Sequence, residues 1–497
     1  MKINYLLLIS GLTLLIIDII LIYLNIYDSK KIDYFRPDII VLIFSLISIP
    51  GMLFASFGDN YVVQSLRNMP KVRDVNFALG QVGTLSIATL FATILGLKSG
   101  FIFKRIFNFY LFRNKILLYV PAQSLVTGVI LFLGGIVIYL IILDKIGGLQ
   151  LIWYSSLYSH VQLTEGLGYF LILKKNILIV GLTFLGYYYS KTKYQRHLIL
   201  WLIFTLIAFL VEISFGTRNN GGFIIFLFLL IYHYWIKPIN LFSIKILALF
   251  LIFSIFFLVW GTLRNYKNPL DKLKDPITTV YDSFEYFEGG FLYRIAGLET
   301  KALIVSYFNI SNIWLGLSYK DLITAPIPKS IYPDKPPIDD GRYLIQIMHG
   351  YDIRPSVPLD EMAKTSMPPG NWIGYMNFHI PGLLFYYYIS GIILTLFYIS
   401  FLKNKKKPGW LIIYGSLMYR GGPSLSVQGI VNLFAILITI FVLFIIVKVI
   451  DQIINLIFGK SIINKNDIEN IMKKRTPIFK NRSSMIRGNF SYRENKM

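Results

Sequence analysis

Apolar runs of about 18 to 25 residues recur along almost the whole chain, the length an α-helix needs to cross about 30 Å of hydrocarbon. They lie near 5–25, 39–57, 77–97, 116–142, 171–190, 198–215, 221–236, 244–263, 378–402, 410–420 and 427–450. The pattern predicts an all-α polytopic membrane protein with about eleven or twelve transmembrane helices. Two of the runs are short. Broken or half-buried helices persist at membrane depth only where protein or water satisfies the backbone. The first run is too long for a signal-peptide core and lacks a small-residue cleavage site, so it reads as a retained span.

The polar stretches between the runs set the orientation. The segments "KSGFIFKRIFNFYLFRNK" (98–115), "KTKYQRH" (191–197) and "KNKKKPG" (403–409), and the tail after Lys448, are strongly basic and read as cytoplasmic. Alternation then places "GTRNNGG" (216–222), the segment 264–376 and "RGGPS" (420–424) on the outer face. The first three spans resist this scheme. The loop 58–76 also looks basic, yet one span separates it from 98–115, so either a span is miscounted or the N-terminus lies outside. The chain divides into N-terminal helices (1–263), a large extracytoplasmic, periplasmic loop (264–376), C-terminal helices (377–450) and a basic cytoplasmic tail (451–497) that cannot bury a core of its own.

Composition sharpens the class. Of 497 residues 55% are hydrophobic and only 15% charged, which excludes an ordinary soluble domain. The net charge of +23 is accounted for by basic loops and a tail drawn to anionic membrane lipids, not by nucleic acid. Cysteine is absent, which rules out disulfides, thiolate metal sites and a cysteine nucleophile. No His pair has zinc-site spacing and no phosphate-binding glycine loop occurs, so no metal and no cofactor is expected.

Candidate chemistry concentrates on the outer side. Loops of more than about 15 residues are usually functional, and 264–376 is rich in Pro, Asp, Lys and Gly. Arg218, Arg264, Arg294, Arg342, Arg354 and Arg420 all fall on a side that the positive-inside bias should deplete of arginine. A guanidinium forks onto phosphate oxygens, so an outward cluster suits a lipid diphosphate, although a single arginine can equally snorkel to headgroups or pair with a carboxylate. The proline-rich "APIPKSIYPDKPPIDDGR" (325–342) reads as stiff and extended. Asp334, Asp339, Asp340, Asp360 and Glu361 read as a solvated acidic surface. His349 and His379 are isolated.

Several ordered pieces together resemble the O-antigen polymerase (Wzy-type) family of oligosaccharide repeat-unit polymerases, over about 120 to 450. "GGIVIYLIILDKIGGLQ" followed by "GLGYFLIL" looks like the family's span, Gly-Gly turn and next segment. "GTRNNGG" is similar to its "GSRG" element, "RIAGLET" (294–300) to the arginine element of its large loop, "IPKSIYPDKP" to its proline-rich element, and "NFHIPGLL" to the "NFGxxG" start of a span. His379 stands where glycine is usual, the acidic residue common before "NF" is missing, and the arginine common after "GGL" is absent. The resemblance implies a glycosyltransferase C-like architecture in the cytoplasmic (inner) membrane. It also implies a reaction that joins polyprenyl-diphosphate-linked glycans, alongside a flippase and chain-length regulator of the same pathway. Arg218, Arg294 and Arg420, with Arg264 as a further candidate, would hold the diphosphate, and Glu299 or His379 would act as base. An O-antigen ligase using the same donor is the nearest alternative. A flippase for the same lipid is disfavoured because no internal repeat is visible, and a metal-dependent mannosyl- or oligosaccharyltransferase because "YDSKKIDYFRPD" (27–38) is a poor acidic motif.

Overall fold

The computed structural model describes residues 3–27, 33–58, 60–107, 119–148, 166–215, 218–240, 243–263, 275, 278, 296–327, 331–358, 362, 365 to 458, and of Arg218 the backbone alone. Among the described residues the regular elements are helices, joined by turns and irregular segments, with one isolated bridge between Ile3 and Phe57. The helices are α1 (Tyr5–Tyr27), α2 (Pro37–Ser56), α3 (Tyr61–Arg67), α4 (Val75–Phe107), α5 (Ser124–Ile146), α6 (Gly168–Thr192), α7 (Gln195–Ser214), α8 (Arg218–Ile231) and α9 (Ile244–Leu263). They continue with α10 (Leu298–Tyr307), α11 (Asp340–Met348), α12 (Ile373–Lys403), α13 (Pro408–Met418) and α14 (Val427–Phe458). Among the described residues, nine are long and apolar enough to cross a membrane. This is a multi-pass membrane protein. The 20-residue α9 and the 11-residue α13 fill the other two predicted runs.

Contacts at the helix ends decide the orientation left open above. Asn4 donates its backbone N–H to the Ser56 carbonyl (2.9 Å) and its side-chain amide to the Asn76 carbonyl (2.7 Å). Lys71 pairs with Asp352 at 2.7 Å. The N-terminus, the turn around α3 and the described part of 296–372 therefore share one face, here called the segment face. At the opposite face Asp33 accepts from Tyr234 (2.9 Å) and Tyr398 (3.1 Å), and Trp235 donates to the Lys405 carbonyl. There too Asp451, near the end of α14, accepts from the backbone N–H of Ala122 and Gln123. Among the described helices, consecutive spans then alternate between the two faces, with Asn4 and the start of α1 on the segment face. Loop 58–76 therefore breaks the basic-loop rule; of its basic residues, Lys71 has a carboxylate partner in Asp352. The described part of "YDSKKIDYFRPD", residues 33–38, belongs to the other face. Burial opposes ionisation of its Asp33, but hydrogen bonds from His233 and Tyr234 hold that carboxyl below the usual range.

Two buried clusters organise the bundle. One gathers α5 to α8 with α13 and the lower parts of α12 and α14; the other gathers α1 to α4 with α10, α11 and the start of α12. Where α4 meets α12, a Cβ on Gly96 would lie 2.0 Å from the Tyr388 carbonyl oxygen and one on Gly391 2.5 Å from that of Thr93. Helices in lipid associate through such close packing.

The "NFHIPG" stretch is a kink, not the smooth start of a span at 378. Helix α12 begins at Ile373, and Phe378 and His379 leave helical geometry, His379 at φ 57°, ψ −150°. That conformation is essentially restricted to glycine, the residue usual there in the resembling family. Asn377, fully buried, accepts from Gly316 N–H (2.9 Å) and donates to the Ile373 carbonyl (3.1 Å). The proline-rich stretch also departs from expectation. Its Lys335 turns back to donate to the carbonyls of Ala325 and Ile327, both at 2.7 Å, so the segment folds over itself.

Candidate functional site

Helix α8 starts at "RNNGG", and α13 ends at "MYRGG". They meet on the segment face. Tyr419 donates its hydroxyl to the Asn219 carbonyl (2.9 Å), and its ring packs on Phe223 and Phe226. The approach depends on Gly222, since a Cβ there would sit 2.4 Å from the Tyr419 oxygen. Helix α6 completes the site with Lys175, whose ammonium reaches Asn220 at 2.7 Å and lies 5.5 Å from the Phe223 ring. Together these surround a cleft of about 90 Å³ bordered by Lys175, Asn176, Asn219, Ser416, Tyr419, Arg420 and Asn432, with apolar walls from Ile172, Ile179, Phe223, Ala435 and Ile436.

The turn that carries Arg420 is rigidly held. Gly421 and Gly422 take φ values of 72° and 121°, the left-handed region open to glycine. Beyond them, Ser390 donates to the Pro423 carbonyl (2.8 Å) and Tyr319 to that of Leu425 (2.6 Å). Asn371 accepts from Leu425 N–H (2.9 Å), and Asp340 from Val427 N–H (3.0 Å). Residues of the 296–372 segment thus cap α14 and pin the turn. Asp340 is not a solvated carboxylate: it is 2% exposed, and burial pushes its pKa up to about 8. Asp339 caps α11 by accepting from Gly341 N–H.

Beneath the cleft lies a buried ion pair. Lys174 and Glu212 meet at 3.0 Å with side chains 2% and 1% exposed, and the Lys174 ammonium lies 4.5 Å from the Phe215 ring. The pair locks α6 to α7 one residue from Lys175.

Of the residues expected to act, Arg420 borders the cleft. Arg218 opens α8 beside Asn219, and its side chain is outside the described residues, as are Arg264 and Arg294 altogether. Glu299 is half-buried in the first turn of α10, and the His379 ring packs on Tyr375 at a tilt of 38°, centroids 4.4 Å apart. Neither borders the cleft. Among the described residues no cluster of three or more His, Cys, Asp or Glu is placed to hold a metal. The sequence reading passed over Lys174, Lys175, Asn176, Glu212 and Asn432. The signal was present in "LILKKNILI": ionisable residues inside a span are functional or paired by default.

The cleft presents an ammonium, a guanidinium, side-chain amides and hydroxyls, with no carboxylate among the described residues on its border. That set favours an anion. The aliphatic walls beside it suit an anion joined to lipid. Compared with known proteins, the chain matches no family model, no curated protein and no solved structure.

Proposed function

We propose that this protein joins polyprenyl-diphosphate-linked oligosaccharide repeat units into a surface polysaccharide at the outer face of the cytoplasmic membrane. The observation that carries the reading is the cleft itself. Arg420 and Lys175 converge beside the "GTRNNGG" helix start, on the face opposite the lysine-rich loops. In such a reaction the terminal sugar hydroxyl of one lipid-linked repeat attacks the anomeric carbon of a growing glycan. A new C–O bond forms, the bond from that carbon to the diphosphate breaks, and the hydroxyl proton passes to a base. Because the leaving group is already a diphosphate, charge stabilisation on it is the main requirement. Arg420 and Lys175 supply this directly, and Arg218 starts the neighbouring helix. Glu299 and His379 stay candidates for the base, whose help is typically 10²–10⁴-fold.

The test is genetic. A strain lacking the gene is complemented with wild-type protein, Arg420→Ala or Lys175→Met, and its surface glycan is separated by length. The proposal expects a ladder with the wild type and a single repeat attached to the surface with either variant, at unchanged protein level. Full polymer stranded on its lipid carrier would instead identify a ligase.

A further inference from the structure

On the other side of Tyr419 from the cationic cleft lies a second cavity of about 210 Å³, between α8 and α9. Its border is almost wholly apolar: Phe226 and Leu229 from α8, Leu249 and Phe253 from α9, with Ser254 at its exposed edge and Tyr419 closing the end next to the cleft. Tyr419 borders both cavities. Its hydroxyl is held on the Asn219 carbonyl and its ring packs on Phe223 and Phe226, so the phenol is a fixed rib common to the two cavities. One side offers cations and amides at the membrane edge; the other offers aromatic and aliphatic surface deeper in the bilayer.

We infer that this groove seats the proximal isoprenoid tail of an amphiphile whose phosphate head occupies the Lys175–Arg420 cleft. The inference rests on the function proposed above. That one residue, Tyr419, lines both cavities is what commits the groove to a tail attached to an anionic head. A tail leaving lipid for protein gains no hydrophobic transfer energy; its gain is close packing. A groove walled by Phe226 and Phe253 provides that packing for a methyl-branched, unsaturated chain. Seating the first isoprene units also fixes the direction from which the diphosphate enters the cleft, the orientation an in-line displacement needs.

The experiment uses full-length protein in nanodiscs and farnesyl diphosphate carrying a photoreactive group at its tail, with labelled peptides mapped by mass spectrometry. The expected label falls on 222–229 and 249–254, is displaced by inorganic pyrophosphate and is lost in Arg420→Ala. Ser254→Trp, a change at an exposed position that fills the groove mouth, cuts labelling of those peptides about tenfold, equivalent to about 1.4 kcal/mol. Leu249→Trp repeats the block from a second position on α9. Label that responds to pyrophosphate and Arg420 but maps to exposed lipid-facing residues such as Leu206 and Leu210 overturns the groove and leaves the cleft standing. Label indifferent to pyrophosphate and to Arg420 overturns both. Equal labelling of the groove by a photoreactive phosphatidylcholine makes it an ordinary lipid site and overturns the inference.

Discussion

Replacing Glu212 with glutamine tests the buried pair under the cleft. The substitution keeps shape but leaves the Lys174 ammonium, 2% exposed, without its counter-charge inside the helix bundle. Breaking a buried pair by removing one partner costs about 3–5 kcal/mol, because the other charge is stranded. The nearby Phe215 and Tyr139 rings, 4.5 and 5.8 Å from the ammonium, offset part of this. A cation over an aromatic face contributes about 0.5–2 kcal/mol, which brings the expected net loss to about 1–4.5 kcal/mol. Lys174→Met should cost less, because the Lys175 ammonium still interacts with Glu212. The double variant Lys174→Met/Glu212→Leu removes both charges and should return to within about 1 kcal/mol of the wild type, since an apolar replacement of a buried pair is often neutral. Reversible unfolding in mixed micelles, titrated with SDS, measures all four proteins. Additive losses in the double variant would refute the reasoning, because independent sites add and a coupled pair does not.

Arg420→Ala should weaken inorganic pyrophosphate binding by about tenfold to a hundredfold, about 1.5–3 kcal/mol for charge-assisted hydrogen bonds. Arg420→Lys should recover only part, since an ammonium cannot fork; calorimetry of the purified protein measures both. Gly222→Ala drives a methyl into the Tyr419 hydroxyl and should cost about 1–3 kcal/mol of stability, with Tyr419→Phe in the same chain relieving part of it. Asp340 titrates near 8 in the folded protein and near 3.8 when unfolded, so the folded state holds the extra proton between those values. Stability should therefore fall as pH rises from about 4 to about 8 and level off above that, and Asp340→Asn should flatten that slope; thermal scans across pH compare the two.

The spans were legible because a run of some twenty apolar residues has few other uses. Their ends were less so. Helix α4 continues through "KSGFIFKRIF" to Phe107, since basic residues at a helix end extend into the headgroup region without breaking it. In α12 the helix starts before the apolar run, because Asn377 is buried by hydrogen bonds to Gly316, Ser318 and its own turn, contacts that hydropathy does not register. Arg420 was visible as an outward arginine beside glycines. Lys174 and Lys175 were hidden because averaging over an apolar run absorbs two lysines, and only the proximity of α7 reveals Glu212 as a partner. Asp340 was misread for a similar reason: the N–H it caps lies 87 residues away.

The most direct test of the central claim is reconstitution of the purified protein in nanodiscs with polyprenyl-diphosphate-linked repeat units and no energy source. The account predicts a ladder of lengthening lipid-linked glycans and release of one polyprenyl diphosphate per bond formed, both abolished by Arg420→Ala. Repeats that stay single while crossing the bilayer, or no reaction while a lipid or protein acceptor is glycosylated on addition, would contradict it.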